Sequence, residues 1–148
     1  MERMQIRRLT EGDIPEAAAI EARCLPEAWS ESAYRSAFRT DGAGSWFWGA
    51  ELAGKLVGVI GLFRMGEDGE IGNVAVLPPY RRQGIAARLL ETALHAGEHE
   101  LGLQRFTLEV RDSNRPAVQL YEAHGFRTEG VRPHFYRNPT EDARIMWR

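Results

Sequence analysis

Short stretches rich in apolar residues recur along the chain and predict β-strands, and in MQIRRL and RFTLEV the apolar and polar positions alternate. They read MQIRRL, SWFWGAEL, LVGVIGLFRM, EIGNVAV, RFTLEV, FRTEGVRPHFY and EDARIMW. Ala53, Gly54 and Lys55 connect the second stretch to the third, and a turn over 66–69 leads into the fourth. Because such short turns join neighbouring antiparallel strands, we expect these three stretches to form an antiparallel meander.

Helical patterns separate several of these strands. Asp13 and Glu16 have the spacing of a capping box and predict a helix over 13–24, and Ser30 is the predicted N-cap of a second helix, SESAYRSAF. A third helix from about Gly84 places one apolar face toward the core, and a fourth over about 115–124 ends before Gly125. The resulting order, βααβββαβαββ, predicts an α/β fold in which the VAVL and TLEV strands run parallel through a helical crossover.

Composition narrows the class of protein. The chain has 148 residues, of which 43% are hydrophobic and 27% charged, and its net charge is −2. These values favour one folded domain over 1–148 and argue against disorder or a nucleic-acid-coating surface. Cys24 is the only cysteine, which excludes an internal disulfide. No apolar run of about 18 residues is present and MERMQIRRL lacks the core of a signal peptide, so we expect a soluble cytoplasmic protein without a membrane partner.

The segment PPYRRQGIA is a candidate anion site. A helix that begins near Gly84 presents N–H groups without partners at its positive end, and pyrophosphate fits such a site. Gly84 permits close approach to the backbone, Ala86 is small, and Arg81 and Arg82 add positive charge. The same residues are also compatible with a plain turn that carries two solvated arginines. The glycine motifs of P-loop and dinucleotide-binding proteins are absent.

Longer motifs carry a resemblance to a known family. The run V-A-V-L-P-x-Y-R-R-Q-G-I-A resembles the acetyl-coenzyme A (acetyl-CoA) motif of the GNAT family of N-acetyltransferases. LEVRDSNRPAVQLYEAHGF, FYRNPTEDARIM and PEAWSE are similar to segments of the ribosomal-protein-alanine N-acetyltransferases of the RimI type. The resemblance covers nearly the whole chain. It implies the GNAT acyl-CoA N-acyltransferase fold, a mostly antiparallel sheet with a central splayed parallel pair, and acetyl-CoA as co-substrate without a metal.

The resemblance also implies a set of cofactor-binding residues. Val74, Ala75 and Val76 correspond to a bulged strand beside the pantetheine arm, and Arg81 and Arg82 lie in the loop that binds pyrophosphate. The backbone amides expected to hold the pyrophosphate are those of Gln83, Gly84, Ile85, Ala86 and Ala87. Asn114 corresponds to an asparagine that contacts the cofactor, although its position also suits a helix N-cap.

Two residues are candidates for proton transfer. Phe106, Leu108 and Val110 share one face of their strand, so Glu109 faces the other way. Its carboxylate could accept a proton from an amine. The resemblance implies that Glu109 is the general base and that Tyr121 is the general acid at the thioester sulfur. Without the resemblance, Glu109 would be interpreted as a solvated strand residue and Tyr121 as core packing.

The sequence defines the acceptor of the acetyl group less closely than it defines the cofactor-binding residues. At pH 7 about a tenth of α-amino groups are neutral, against about four lysine amines in ten thousand, so a single glutamate base suits a protein amino terminus better. This preference leaves lysine and polyamine acceptors open. A non-catalytic acyl-CoA-binding module would not need the Glu109 and Tyr121 pair. No motif indicates direct nucleic-acid contact, and the resemblance makes a ribosomal protein the candidate partner.

Trp29 and Tyr136 correspond to positions that flank the acceptor groove, or could be core residues. The sequence departs from its relatives nearby. Glu27 and Ala28 are inserted before Trp29, Phe135 replaces a tyrosine, and Gly72 stands where relatives often have a bulky residue. These departures leave the acceptor's identity open.

His95 and His99 lie four residues apart on one predicted helix. The glutamate of a zinc-protease helix is missing and no third ligand is evident, so we interpret the pair as a solvated helix face.

Overall fold

The computed structural model describes residues 3–148, and its helices and strands follow the predicted order. The strands are β1 (Met4–Arg8), β2 (Ser45–Leu52), β3 (Lys55–Met65), β4 (Asp68–Val76), β5 (Phe106–Arg111), β6 (Arg127–Tyr136) and β7 (Glu141–Trp147). The helices are α1 (Ile14–Cys24), α2 (Glu31–Phe38), α3 (Ile85–His99) and α4 (Arg115–Ala123). No helix in this part of the chain is both long and apolar enough to cross a membrane.

All the strands join one sheet in the order β1-β2-β3-β4-β5-β7-β6. Neighbouring strands are antiparallel except β4 and β5, which run parallel and are connected through α3. Their pairing is limited to Gly69 with Phe106 and Glu70 with Thr107, after which the two strands diverge. The predicted mixed sheet with a splayed parallel pair is therefore confirmed.

A β-bulge interrupts β4 just after its pairing with β5 ends. Ile60 of β3 pairs with Val74, whereas Leu62 pairs with Ile71. Two residues of β4, Gly72 and Asn73, thus oppose one residue of β3. The bulge precedes the residues 74–76 that were expected to carry it. Gly72 is required here because a Cβ at this position would lie 2.8 Å from the Phe63 ring.

Two apolar clusters cover the two faces of the sheet. One cluster packs α3 and α4 on the sheet and includes Leu89, Leu90, Phe106 and Leu108. The other packs α1 and α2 on the opposite face and includes Ile14, Ile20, Tyr34, Phe47 and Val59. Because alternate residues of a strand face opposite sides, Glu109 of β5 is directed to the face that α1 and α2 cover.

The helix starts confirm one predicted cap and correct another. The Ser30 hydroxyl accepts a hydrogen bond from the Ala33 amide at 3.1 Å, as predicted. The capping box predicted for Asp13 and Glu16 is wrong, although α1 begins directly after Asp13. The Asp13 carboxylate instead accepts from both terminal nitrogens of Arg7, at 2.8 and 3.0 Å, and from the Thr10 amide. A bidentate arginine is a stronger partner than a helix amide.

Candidate active site

A cleft of about 620 Å³ lies where β4 and β5 diverge. Its lining brings together most of the predicted cofactor-binding residues and one of the two predicted catalytic residues. These are Val74, Ala75, Val76, Arg81, Arg82, Gly84, Ile85, Ala86, Ala87, Asn114 and Tyr121. Cys24, Leu25 and Tyr80, which sequence reasoning did not select, also line it. Gln83, Glu109, Trp29 and Tyr136 are not part of this lining.

The β4 side of the cleft offers a free strand edge. The Leu77 amide donates to Val57 of β3 at 2.9 Å, which directs the backbone groups of Ala75 and Leu77 toward β3. The backbone groups of Val74 and Val76 therefore face the cleft. The Val76 carbonyl already accepts hydrogen bonds from Arg81 Nε at 2.9 Å and from the Cys24 thiol at 3.4 Å. An extended amide-bearing chain such as pantetheine could pair with this edge as a further strand would.

The start of α3 forms the second wall of the cleft. Gly84 is the N-cap residue with φ of +78°, a left-handed conformation that favours glycine, and a Cβ built there would meet no atom within 4 Å. The amides of Ile85, Ala86 and Ala87 belong to the first turn, where N–H groups lack partners inside the helix. Together with the positive end of the helix, this open space and donor set fit a pyrophosphate. Arg82 adds positive charge at the rim.

Tyr121 and Asn114 both belong to α4. Asn114 is the N-cap residue, and its side chain accepts from the Ala117 amide at 3.3 Å, so the capping role is confirmed while the side chain also lines the cleft. Tyr121 is buried and packs edge-on against Phe126 with ring centroids 5.8 Å apart. Burial raises the pKa of the Tyr121 hydroxyl, and the nearby Tyr136 raises it further. A protonated phenol therefore faces the cleft and can donate a hydrogen bond.

Glu109 lies on β5 just beyond its pairing with β4, on the face of the sheet that α1 and α2 cover. Its Oε2 atom is buried, accepts no hydrogen bond within the described part of the chain, and lies 2.9 Å from Arg132 Nε. Glu70 of β4 is close by. Burial raises the pKa of the Glu70 carboxyl, and the charge of Glu109 raises it further, against an opposing effect of Arg132. Two carboxylates thus converge where the parallel strands separate.

Tyr136 lies beside a buried arginine that sequence reasoning missed. Arg111, at the end of β5, packs its guanidinium on the Tyr136 ring, 4.6 Å from the centroid. The same group donates to Glu27 and Glu141, each at 3.2 Å, and to the carbonyls of Arg137 and Pro139. It therefore ties the α1–α2 loop to the β6–β7 loop. Burial raises the pKa of the Tyr136 hydroxyl, and Glu27 and Glu109 raise it further.

Trp29 packs within a cluster of aromatic side chains on the face of the sheet that α1 and α2 cover. Its ring packs against Tyr34 and Phe63, with centroids 5.4 Å away in each case. Its backbone amide donates to Glu21 at 3.1 Å. Glu21 is a buried carboxylate of α1 that also accepts from the Tyr34 hydroxyl and from Asn73 Nδ2 in the bulge. The sequence does carry one signal for this network: Glu21 lies four residues after Ala17, on the otherwise apolar face of α1.

We refer to Trp29, Glu109, Arg111, Arg132 and Tyr136 as the acceptor face, after the acceptor role that the sequence analysis predicts for Trp29 and Tyr136. The structure places Tyr136 near both Tyr121 and Glu109, whereas Trp29 packs instead with Phe63. Within residues 3–148 no group of three His, Cys, Asp or Glu side chains is arranged to hold a metal ion.

Comparisons with known proteins agree with this architecture. Residues 14–126 match the family described as "Acetyltransferase (GNAT) family". The chain is 33% identical to the ribosomal protein bS18-alanine N-acetyltransferase of Escherichia coli, over 94% of this chain and 90% of that protein. It is 30% identical to an N-alpha-acetyltransferase of Sulfolobus acidocaldarius, over 96% of this chain and 90% of that protein.

Solved structures give the same result. The crystal structure of the ribosomal-protein-S18-alanine N-acetyltransferase from Escherichia coli matches with a TM-score of 0.88 and 32% identity, over 98% of this chain and 92% of that one. Ard1 from Thermoplasma volcanium matches with a TM-score of 0.89 and 26% identity, over 98% and 96% of the respective chains. Sequence motifs, the splayed sheet and these relatives agree, and the chain belongs to the GNAT family of acetyltransferases.

Proposed function

We propose that the protein transfers the acetyl group of acetyl-CoA directly to the N-terminal α-amine of a protein, with a ribosomal protein as the candidate acceptor. The observation that carries the proposal is the position of Tyr121. It lines the same cleft as the open β4 edge and the α3 N-terminus. Enzymes of this family use acetyl-CoA as co-substrate. The cleft offers the backbone groups that its pantetheine arm and pyrophosphate need.

The proposed transfer needs two proton movements. Glu109 accepts a proton from the acceptor's ammonium group, directly or through water, which frees the nitrogen lone pair. The neutral amine then forms a bond to the thioester carbonyl carbon, and the bond from that carbon to sulfur breaks. Tyr121 donates its hydroxyl proton to the departing thiolate, since its raised pKa keeps the phenol protonated at neutral pH. The nitrogen loses one of its two protons and keeps the other as the amide N–H. Exchange with solvent then returns a proton to Tyr121 and removes the proton from Glu109.

Two arguments favour an α-amine as acceptor. A single carboxylate base is better matched to an amine with a pKa near 8 than to one near 10.4, because far more of the first is neutral at pH 7. In addition, the Escherichia coli and Sulfolobus relatives carry names that specify N-terminal acetylation. Glu27 and Ala28, inserted before Trp29, lie where the groove for the acceptor's first residues is proposed.

A peptide panel tests this function. Peptides with free N-terminal Ala, Ser, Met or Gly are incubated with acetyl-CoA beside a polyamine and a lysine peptide with a blocked terminus. Mass spectrometry then locates the acetyl group. We expect acetylation of the α-amine. Acetylation of only the polyamine or the lysine side chain would contradict the proposed acceptor while leaving the family assignment intact.

A further inference from the structure

The side chain of Arg132 extends over strand β7 to reach Glu109. Arg132 lies on the edge strand β6 and pairs with Ala143 of β7, which pairs in turn with Arg111 of β5. From this position its Nε atom comes within 2.9 Å of the buried Oε2 atom of Glu109. No hydrogen bond to that oxygen is formed within residues 3–148. The contact therefore brings opposite charges together without a well-directed hydrogen bond.

The surroundings of Glu109 favour a cation nearby. Glu70 from β4 is a second carboxylate at this point, and its pKa is raised by burial and further by the charge of Glu109. Arg111, the other nearby cation, already forms ion pairs with Glu27 and Glu141. Tyr136 of β6 also faces Glu109 but carries no charge in its protonated form. Arg132 is thus the group that balances the charge of Glu109.

An acceptor's ammonium group needs the same position at Glu109. It is a cationic donor that must come within hydrogen-bond distance of the base that takes its proton. Because the Oε2 atom of Glu109 is buried with Arg132 Nε only 2.9 Å away, an ammonium group that approaches the same oxygen competes with the guanidinium for its position. We propose that Arg132 occupies the place of the acceptor's ammonium group at Glu109 in the free protein, and that it withdraws when an acceptor binds. Arg132 thereby weakens acceptor binding and keeps the base covered between turnovers.

Two features allow Arg132 to leave at little cost. Its side chain is 59% exposed, so water solvates the guanidinium once it leaves, while the acceptor's ammonium group neutralises the buried carboxylate in its place. It also lies where the register of β6 against β7 shifts, between Arg132 and Tyr136, so the sheet pairing beyond it is already interrupted. The guanidinium can turn to solvent without any change in the neighbouring strands.

The test compares Arg132→Gln with Arg127→Gln. Arg127 is an exposed arginine on the same strand that pairs with Trp147, and within residues 3–148 it forms no ion pair with Glu109. The inference rests on the proposed function, so the acceptor is whichever amine the unaltered protein acetylates. The affinity of that acceptor for the CoA-bound protein is measured by calorimetry, and the KM values for acceptor and acetyl-CoA are measured beside it. CoA replaces acetyl-CoA in the binding experiment so that no transfer occurs.

We expect Arg132→Gln to tighten acceptor binding and to lower the acceptor KM by about two- to fivefold, the range of an exposed ion pair. The KM for acetyl-CoA stays the same, and Arg127→Gln changes neither value. In a Glu109→Gln background the gain in acceptor affinity disappears, because the charge that Arg132 covers is no longer present. Weaker or unchanged acceptor binding in Arg132→Gln, or a gain that persists beside Glu109→Gln, overturns the inference. Failure of the proposed function is detected separately, from the site of acetylation by the unaltered protein.

Discussion

The cleft between β4 and α3 and the acceptor face are built from different kinds of groups. The cleft uses the backbone: a free strand edge at Val74 and Val76, and the first amides of α3. The acceptor face uses side chains from separate elements, among them Arg111 of β5 and Arg132 of β6. The backbone groups of the cleft stay in place when neighbouring side chains are replaced. The side-chain network of the acceptor face, in contrast, depends on each of its members.

This difference predicts how each region responds to substitution. Changes in the cleft should act on acetyl-CoA alone, and changes on the acceptor face should act on the amine alone. Substitution of Tyr121 or Glu109, the proposed acid and base, should change kcat.

Tyr121→Phe should have the largest effect. Loss of the hydroxyl removes the proposed acid and should lower kcat by about 100-fold or more, while acetyl-CoA affinity changes little because the ring still fills its buried site. Steady-state kinetics and calorimetric binding of acetyl-CoA check the two quantities separately. An unchanged kcat would remove Tyr121 from the mechanism.

Glu109→Gln should slow transfer most at low pH, where fewer acceptor amines are neutral and a base is needed more. A pH profile of kcat/KM for the acceptor measures this effect. Equal activity of the variant and the unaltered protein at every pH would exclude Glu109 as the base.

Gly84→Ala should raise the KM for acetyl-CoA by about tenfold, because the added Cβ would enter the open space proposed for the pyrophosphate and displace it by enough to weaken about one charge-assisted hydrogen bond. Gly54→Ala is the matched control, because Gly54 also has φ of +78° and open space around a built Cβ, but lies in the β2–β3 turn. Both variants carry similar backbone strain, so only Gly84→Ala should affect the KM. Equal KM values in the two variants would contradict the proposed pyrophosphate site.

Arg111→Lys should raise the acceptor KM by about three- to fivefold and leave the acetyl-CoA KM unchanged, since lysine cannot hold Glu27 and Glu141 together. Arg144→Lys is the control, because Arg144 pairs with the exposed Asp112 rather than with a loop at the acceptor face. A larger effect on acetyl-CoA than on the acceptor would show that the two regions are not independent.

Asp13→Asn should affect neither KM. Its bond to Arg7 lowers the pKa of the Asp13 carboxyl to about 2, below its value in the unfolded chain. The pair therefore stabilises the fold above about pH 4, by about 1–2 kcal/mol, and this contribution is lost as the pH falls from 4 to 2. Urea unfolding at several pH values should show this loss in the unaltered protein and not in the variant. Asp112→Asn, in an exposed pair, should change stability by less than about 0.5 kcal/mol.

The sequence predicted the element order and most of the cleft because both depend on local signals. Strand alternation is visible within a few residues, and residues 81–87 are consecutive. The Arg111–Glu27 and Asn73–Glu21 contacts join residues 84 and 52 positions apart, so they become visible only once β5 and β4 lie beside α1. The predicted capping box of Asp13 was wrong for the same reason. The stronger partner of its carboxylate, Arg7, belongs to the preceding strand.

This division between backbone and side chains also has an evolutionary consequence. Because the cleft relies on backbone groups of β4 and α3 and the acceptor face on side chains of β5 and β6, substitutions in the acceptor face can accumulate with little effect on the cleft. A gene duplicate could therefore acquire a new amine by changing a few side chains around Arg111 and Arg132, while the backbone proposed to hold the acyl donor is inherited intact.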